Sequence, residues 1–244
     1  MKLPQIALLL ACCVIGGCGA EHQAPPPSNA NVTAEKTLTA SDSASADQAL
    51  DLLMAGNKRF IAGQPIHPHD NTQRRGELTG SQHPFAIILG CSDSRVPPPL
   101  IFDAGLGDIF EIRIAGNSAD AAVTASIEYA VEHLHAPLLV VLGHEKCGAV
   151  GATIDAMREN KTPPAHLAAI VDPIRTAVEK AKSEPGDLTS NAVAENVKQV
   201  VTELQHSEPV LAESIHSGKL RIVGAVYHLD TGQVVLVEGN GTHQ

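Results

Sequence analysis

Short, uninterrupted runs of apolar residues are the feature that most constrains how this 244-residue chain can fold. Residues 85–90 read FAIILG and residues 138–143 read LLVVLG, and such runs predict strands that are buried on both faces. Residues 109–114 predict a further strand. Between the strands, apolar side chains recur at helical spacing, at Val123, Ile127, Ala130, Val131 and Leu134. Strands that alternate with helices predict a single α/β domain over residues 46–244, with a mostly parallel central β-sheet flanked by helices.

The region before the first strand predicts one helix and one loop. Ser45 or Asp47 can cap a helix. The apolar face of this helix is formed by Leu50, Leu53, Met54 and Ile61. Residues 64–84 are polar and contain both Pro and Gly, so a loop is predicted there.

The region after the third strand predicts three more helices and two closing strands. Two of the helices begin near Cys147 and near His166. The third carries a single apolar stripe, formed by Val193, Val197, Val200, Val201 and Leu204. The closing strands are predicted at 220–227 and 234–237, joined by a turn that contains the sequence Asp-Thr-Gly.

The charge balance excludes one broad functional class. The chain has 17 basic and 27 acidic residues, a net charge of −10, and contains no long run of Lys or Arg. Nucleic-acid binding needs a cationic surface, and base stacking needs aromatic side chains, of which the chain has four Phe, two Tyr and no Trp. We therefore expect no nucleic-acid partner.

The first 45 residues predict export and attachment to a membrane. Residues 1–17 contain one Lys and about a dozen consecutive apolar residues, which is typical of a signal peptide and too short for a comfortable membrane span. The sequence Ile-Gly-Gly-Cys that ends at Cys18 resembles a bacterial lipobox, in which the cysteine is lipidated. An ordinary signal peptide or an uncleaved anchor are the alternatives. Residues 18–45 are rich in Ala, Ser, Thr and Pro, and predict a disordered tether from a bacterial membrane, at its periplasmic face or at the cell surface.

Two cysteines then remain for the folded domain. Of the five cysteines, Cys12 and Cys13 leave with the signal peptide and Cys18 carries the lipid, so the domain retains Cys91 and Cys147. In an exported protein these two could form a disulfide. Alternatively, a bound group occupies both thiols and keeps them from oxidising.

The ends of two predicted strands favour a metal as that group. Cys91 follows the first strand directly, and His144 and Cys147 follow the third. In parallel sheets, sites lie beyond the carboxyl ends of the strands. Two thiolates and an imidazole suit tetrahedral Zn²⁺, and three protein ligands leave a fourth position for water, as in catalytic zinc sites.

These segments also resemble a known family. Residues 91–95 read CSDSR and residues 144–148 read HEKCG, which is similar to the C-x-D-x-R and H-x-x-C-G motifs of the beta-class carbonic anhydrases. The resemblance extends over roughly residues 47–240. It implies one Zn²⁺ per chain, held by Cys91, His144 and Cys147, and reversible hydration of CO₂ to bicarbonate and a proton through zinc-bound hydroxide.

The resemblance further implies roles for two residues beside the ligands. Asp93 and Arg95 match a catalytic dyad, in which the guanidinium holds the carboxylate and the carboxylate orients the water on zinc. In the closed form of some family members, Asp93 instead becomes the fourth zinc ligand.

Three more residues match positions that bind substrate in the family, and a fourth, Gly148, is a candidate on physical grounds. Gln82 matches a glutamine that reaches the site across a dimer interface, and Phe110 and Tyr129 match the apolar lining for CO₂. The backbone N–H of Gly148, at a helix start, could help to bind an anion. The resemblance implies a homodimer or a multiple of dimers, because two subunits build each site.

Two other functions remain open from the sequence. The same fold could hydrolyse a CO₂-like molecule such as carbon disulfide, which depends on access to the pocket. The chain could also be a non-enzymatic lipoprotein that binds zinc, or undergoes thiol redox chemistry, through Cys91 and Cys147.

Overall fold

A computed structural model of the chain describes residues 44–237. Its helices are α1 (Ala46–Ile61), α2 (Thr72–Glu77), α3 (Pro98–Ile101), α4 (Ala121–Glu132), α5 (Gly148–Arg158), α6 (Ala168–Ala181), α7 (Leu188–Gln205) and α8 (Val210–His216). Its strands are β1 (Ala86–Gly90), β2 (Ile109–Arg113), β3 (Leu138–His144), β4 (Arg221–Tyr227) and β5 (Val234–Val237). The predicted signal peptide, Cys18 and the tether up to residue 43 lie outside the described residues.

The five strands form one sheet in the order β2-β1-β3-β4-β5. The first four strands run parallel to one another, and only β5 is antiparallel, to β4. The predicted mostly parallel α/β sheet is therefore confirmed. Gly90 of β1 pairs with Leu142 of β3, and His144 of β3 pairs with Tyr227 of β4. This register brings the carboxyl ends of the central strands to the same edge of the sheet.

Helices cover both faces of the sheet, which is why its central strands can be apolar throughout. Ile87 and Leu139 pack on one face with side chains of α4, α7 and α8. Ile88 and Val140 pack on the other face with side chains of α1 and α3. Every residue of β1 and β3 is buried, and each large apolar side chain buried in this way stabilises the fold by roughly 1.5–3 kcal/mol.

The helix boundaries follow from capping residues. Ser45 caps α1 in a reciprocal capping box with Gln48, whereas Asp47 lies within the first turn. The apolar stripe predicted for α7 is confirmed, since all five of its side chains are buried. The sequence predicts Ile61 on the apolar face of α1, but this residue is the last in the helix and is 45% exposed.

The loop predicted for residues 64–84 contains a helix, which corrects that prediction. The six-residue α2 begins after Asn71, whose side chain accepts a hydrogen bond from the backbone N–H of Arg74. Its sequence, TQRRGE, contains no apolar residue, so it shows no apolar periodicity, and none of its residues is buried. The short helices α3 and α8 were also absent from the sequence prediction. Among residues 44–237, no helix combines the length and the apolar character that a membrane span requires.

Candidate metal centre

The three predicted ligands lie together at the carboxyl edge of the sheet. Cys91 directly follows β1, His144 is the last residue of β3, and Cys147 precedes the first residue of α5. One ligand atom from each side chain lies within 4.8 Å of the other two. All three residues are buried, with exposed fractions of 5%, 0% and 3% in chain order. The neighbouring parallel strands therefore bring together residues that are more than fifty positions apart in the sequence.

The imidazole of His144 is oriented as a metal ligand. Its Nδ1 lies 2.8 Å from the backbone carbonyl oxygen of Glu145, which can only accept a hydrogen bond, so Nδ1 carries the proton. The other ring nitrogen, Nε2, is buried and has no hydrogen-bond partner. A buried polar atom without a partner is costly, and Nε2 faces two cysteine thiols. This donor set fits Zn²⁺, which takes thiolate and imidazole ligands.

The two cysteines are free thiols that interact with each other. Hydrogen bonding from the Cys147 thiol lowers the pKa of Cys91, against the opposing effect of burial, and the imidazole of His144 and the N–H of Gly116 act in the same direction. The Gly116 nitrogen lies 3.4 Å from the sulfur of Cys91. Conversely, the hydrogen bond to Cys91 and burial both raise the pKa of Cys147. Metal binding requires cysteine ligands in the thiolate form, so a metal held by both sulfurs would displace their protons.

The carboxylate of Asp93 lies beside the ligands and is held by Arg95. Arg95 donates two side-chain hydrogen bonds to it, from Nε to Oδ1 at 2.9 Å and from Nη2 to Oδ2 at 2.8 Å. The backbone N–H of Arg95 also donates to Oδ1, at 2.9 Å. These bonds, led by those of the guanidinium, hold the pKa of Asp93 well below its ordinary value, although burial opposes them. Oδ2 lies 3.9 Å from Nε2 of His144, so a charged acceptor faces the ligands.

Sequence reasoning missed the residues that fix the backbone around this centre. Arg113 donates from Nε to the carbonyl of Cys91 at 3.0 Å, and from Nη2 to the carbonyl of Asp93 at 2.6 Å. Asn196 on α7 donates to the carbonyl of Gly116 at 2.9 Å. Arg113 lies within a segment that resembles the family, but nothing in the sequence indicates which carbonyls it bonds.

The structure does not bring all the predicted substrate residues to these ligands within one chain. Gly148 begins α5 beside Cys147, and outside its chain neighbours and its own helix backbone, no atom of the described residues lies within 4 Å of where its Cβ would be. Gln82 is exposed and precedes β1, so the five residues of that strand, roughly 17 Å of chain, separate it from Cys91. Phe110 pairs with Ile87 near the amino end of β1.

Tyr129 lies with Phe110, away from the metal ligands. The two ring centroids are 6.3 Å apart, and Tyr129 is 48% exposed. Its ring also lies 5.1 Å from that of His133. Within a single chain, Tyr129 on α4 is exposed, whereas Phe110 on β2 is partly buried against the core.

Comparisons with known proteins agree with this arrangement. A protein-family profile described as carbonic anhydrase matches residues 86–234. A carbonic anhydrase from Mycolicibacterium smegmatis is 42% identical over 184 residues, which cover 75% of this chain and 89% of that protein. Carbonic anhydrase 2 from Mycobacterium tuberculosis strain H37Rv is 41% identical over the same length and the same shares of the two chains.

Solved structures show the same fold. The beta-carbonic anhydrase CcaA superposes with a TM-score of 0.60 at 29% identity, covering 77% of this chain and 86% of that one. The Coccomyxa beta-carbonic anhydrase, solved in complex with acetazolamide, gives a TM-score of 0.60 at 27% identity with the same coverage. The family profile spans more than half of this chain, and the chain covers most of the length of its relatives. The chain belongs to the carbonic anhydrase family, in its beta class.

Proposed function

We propose that this chain catalyses the reversible hydration of CO₂ to bicarbonate and a proton, with Zn²⁺ held by Cys91, His144 and Cys147. The observation that carries this proposal is the buried donor set, in which Nε2 of His144 lacks any other partner. When bound, Zn²⁺ supplies a Lewis acid that makes water a nucleophile near neutral pH. The rest of the chemistry falls to residues of this chain.

Asp93 orients the attacking water by accepting a hydrogen bond from it. Its lowered pKa keeps the carboxylate ionised at neutral pH, so that it can only accept. Arg95 holds this carboxylate through two bonds and keeps it from acting as a further ligand. Gly148, which has open space around it at the start of α5, leaves room for bicarbonate beside a helix N-terminus.

A second copy of the chain completes the site. Gln82, Phe110 and Tyr129 lie away from the ligands of their own chain, so we assign them to the site of a partner in a homodimer or a multiple of dimers. The exposed ring of Tyr129 supports this assignment, since a large aromatic group on the surface favours an interface.

We also propose that the mature protein is an exported lipoprotein. Cleavage after residue 17 would leave Cys18 as the lipidated first residue, and the polar residues up to 45 would link it to the domain at the periplasmic face or the cell surface. The short apolar run and the Gly-Gly-Cys sequence support this proposal. Cys18→Ala should release the protein from membranes without lowering its activity. Membrane retention of this variant would contradict the lipid anchor.

Rapid-mixing measurement of CO₂ hydration by the purified protein tests the proposed activity. Hydration should be lost when a chelator removes zinc and should return when zinc is restored. A folded, zinc-loaded protein that does not accelerate hydration above the buffer rate would refute the proposal. Carbon disulfide hydrolysis, measured in parallel, would then distinguish the alternative enzyme from a lipoprotein that only binds zinc or undergoes thiol redox chemistry.

A further inference from the structure

Glu145 lies between the motif residues His144 and Cys147, and it makes four hydrogen bonds although the motif assigns its position no residue type. Its backbone carbonyl accepts the hydrogen bond from Nδ1 of His144 at 2.8 Å. Its backbone N–H donates to the carbonyl of Tyr227 at 3.0 Å. The carbonyl that sets the tautomer of a metal ligand therefore belongs to a residue that is itself tightly held.

The side chain of Glu145 is held by the turn that follows β4. Nδ1 of His228 lies 2.8 Å from Oε1 and, because a carboxylate only accepts, donates the proton. The backbone N–H of Leu229 donates to Oε2 at 3.1 Å. His228 is in turn fixed by its own N–H, which donates to the carbonyl of Gln233 at 2.8 Å. We call Glu145, His228 and the N–H of Leu229 the carboxylate clamp.

The loop that this clamp holds has an unusual backbone. Lys146, between the ligands His144 and Cys147, has a φ of +51°, in the left-handed region that residues other than glycine rarely adopt. Such a conformation persists only where surrounding contacts determine it. The hydrogen bonds from His228 and Leu229 to the two carboxylate oxygens of Glu145 hold the residue that precedes Lys146, and so help to determine this conformation.

We propose that Glu145 is a positioning residue for the metal centre, acting through its carbonyl on His144, with His228 as its anchor. Groups that orient a metal-bound histidine commonly change metal affinity by about 10- to 100-fold when removed. In this chain the orienting group is a backbone carbonyl, and the clamp determines where that carbonyl points. The inference rests on the zinc site of the proposed function but not on the identity of the substrate.

Zinc affinity, measured on the full protein by competition with a chromophoric chelator, tests the proposal. Glu145→Ala should raise the zinc dissociation constant about tenfold or more. Glu145→Gln and His228→Ala should raise it less, because each leaves part of the clamp in place. In the Co²⁺-substituted protein, the visible absorption bands should shift in the same order, since they report the geometry of the ligands.

A matched control is available at the amino end of β2, away from the carboxyl edge that holds the ligands. Nδ1 of His69 lies 2.6 Å from Oδ1 of Asp108, so His69→Ala also removes a histidine–carboxylate pair that joins a loop to the sheet. This variant should leave zinc affinity and the Co²⁺ spectrum unchanged. If Glu145→Ala does not fold, Glu145→Gln and His228→Ala still decide the outcome.

Two results would overturn the inference. One is zinc affinity in the clamp variants within twofold of the unmodified protein. The other is a lower melting temperature of the metal-free protein with an unchanged Co²⁺ spectrum, which would make the clamp a structural link only. A protein that fails to hydrate CO₂ but still shows the graded loss of zinc affinity would refute the proposed activity and leave this inference standing.

Discussion

Replacing Arg95 with alanine should abolish most activity while zinc stays bound. None of the three ligands changes in this variant, but Asp93 loses both side-chain bonds from the guanidinium, at 2.9 and 2.8 Å. Its carboxylate oxygen already lies 3.9 Å from Nε2 of His144. A zinc ligand nitrogen is about 2 Å from its metal, so the released carboxylate needs to move only a short distance to become a fourth donor.

The size of the loss follows from what Asp93 does. A positioned group that exchanges a proton or a hydrogen bond with the reacting water typically contributes about 10²- to 10⁴-fold. We therefore expect kcat to fall at least 100-fold in Arg95→Ala. Folding should change little, because the guanidinium is largely exposed and surface ion pairs contribute little to stability. Acid should not restore activity, since protonating Asp93 also removes the acceptor that orients water.

Three measurements decide this prediction. Metal analysis should find one zinc per chain in the variant, rapid-mixing kinetics should show the loss of kcat, and a crystal structure should show Asp93 beside the three ligands. Arg158→Ala is the control, since Arg158 makes a comparable bond of 2.7 Å to Asp155 on the exposed surface of α5. Near-normal CO₂ hydration by Arg95→Ala would show that the dyad is not catalytic and that Asp93 is only a polar neighbour of the metal.

Three further predictions follow from the structure. Chelating zinc should expose Cys91 and Cys147 to alkylating reagents, mapped by mass spectrometry, because the metal holds both sulfurs; equal protection without zinc would count against it. Co-expressing inactive Cys91→Ser and Gln82→Ala chains should restore about a quarter of full activity, since half of randomly formed dimers carry one intact site; no recovery would argue against a shared site. Gly116→Ala should lower the free energy of unfolding, measured by thermal denaturation, by about 1–3 kcal/mol. The reason is that φ at this position is +78° and the new Cβ would lie 2.8 Å from Cδ1 of Ile174. Gly63→Ala, with φ of +64° and open surroundings, should cost less than Gly116→Ala; equal losses would show that the steric contact does not matter.

The sequence predicts the fold and the three ligands from two local patterns. Apolar runs mark the buried strands, and residues directly after such runs lie at one edge when the strands are parallel. Cys91 and His144 come together for this reason, and Cys147 follows within one turn of chain. The sequence does not predict α2, α3 and α8, because these helices are only four to seven residues long. The first of them, α2, begins at a polar cap, Asn71, and buries no residue.

The groups that orient the ligands could not be predicted from local sequence patterns. Arg113 bonds carbonyls 20 and 22 residues away, and His228 bonds the carboxylate of Glu145 across 83 residues. These pairs depend on the register of neighbouring strands, such as the pairing of His144 with Tyr227. Apolar runs show that strands are buried but do not determine the register between neighbouring strands. When every residue of a strand is apolar, a shift of one strand along its neighbour still buries apolar side chains.

The chemistry of the donors adds a second reason. Thiol and imidazole groups are uncommon at strand ends and stand out in a sequence, whereas the acceptors around them are ordinary backbone carbonyls that every residue carries. The carbonyl of Glu145 orients His144, and the N–H of Gly116 contacts Cys91, without any distinctive side chain at the point of contact. A sequence therefore reveals which residues can hold the metal, while the groups that set the angle and protonation of each ligand emerge only when the strands are aligned.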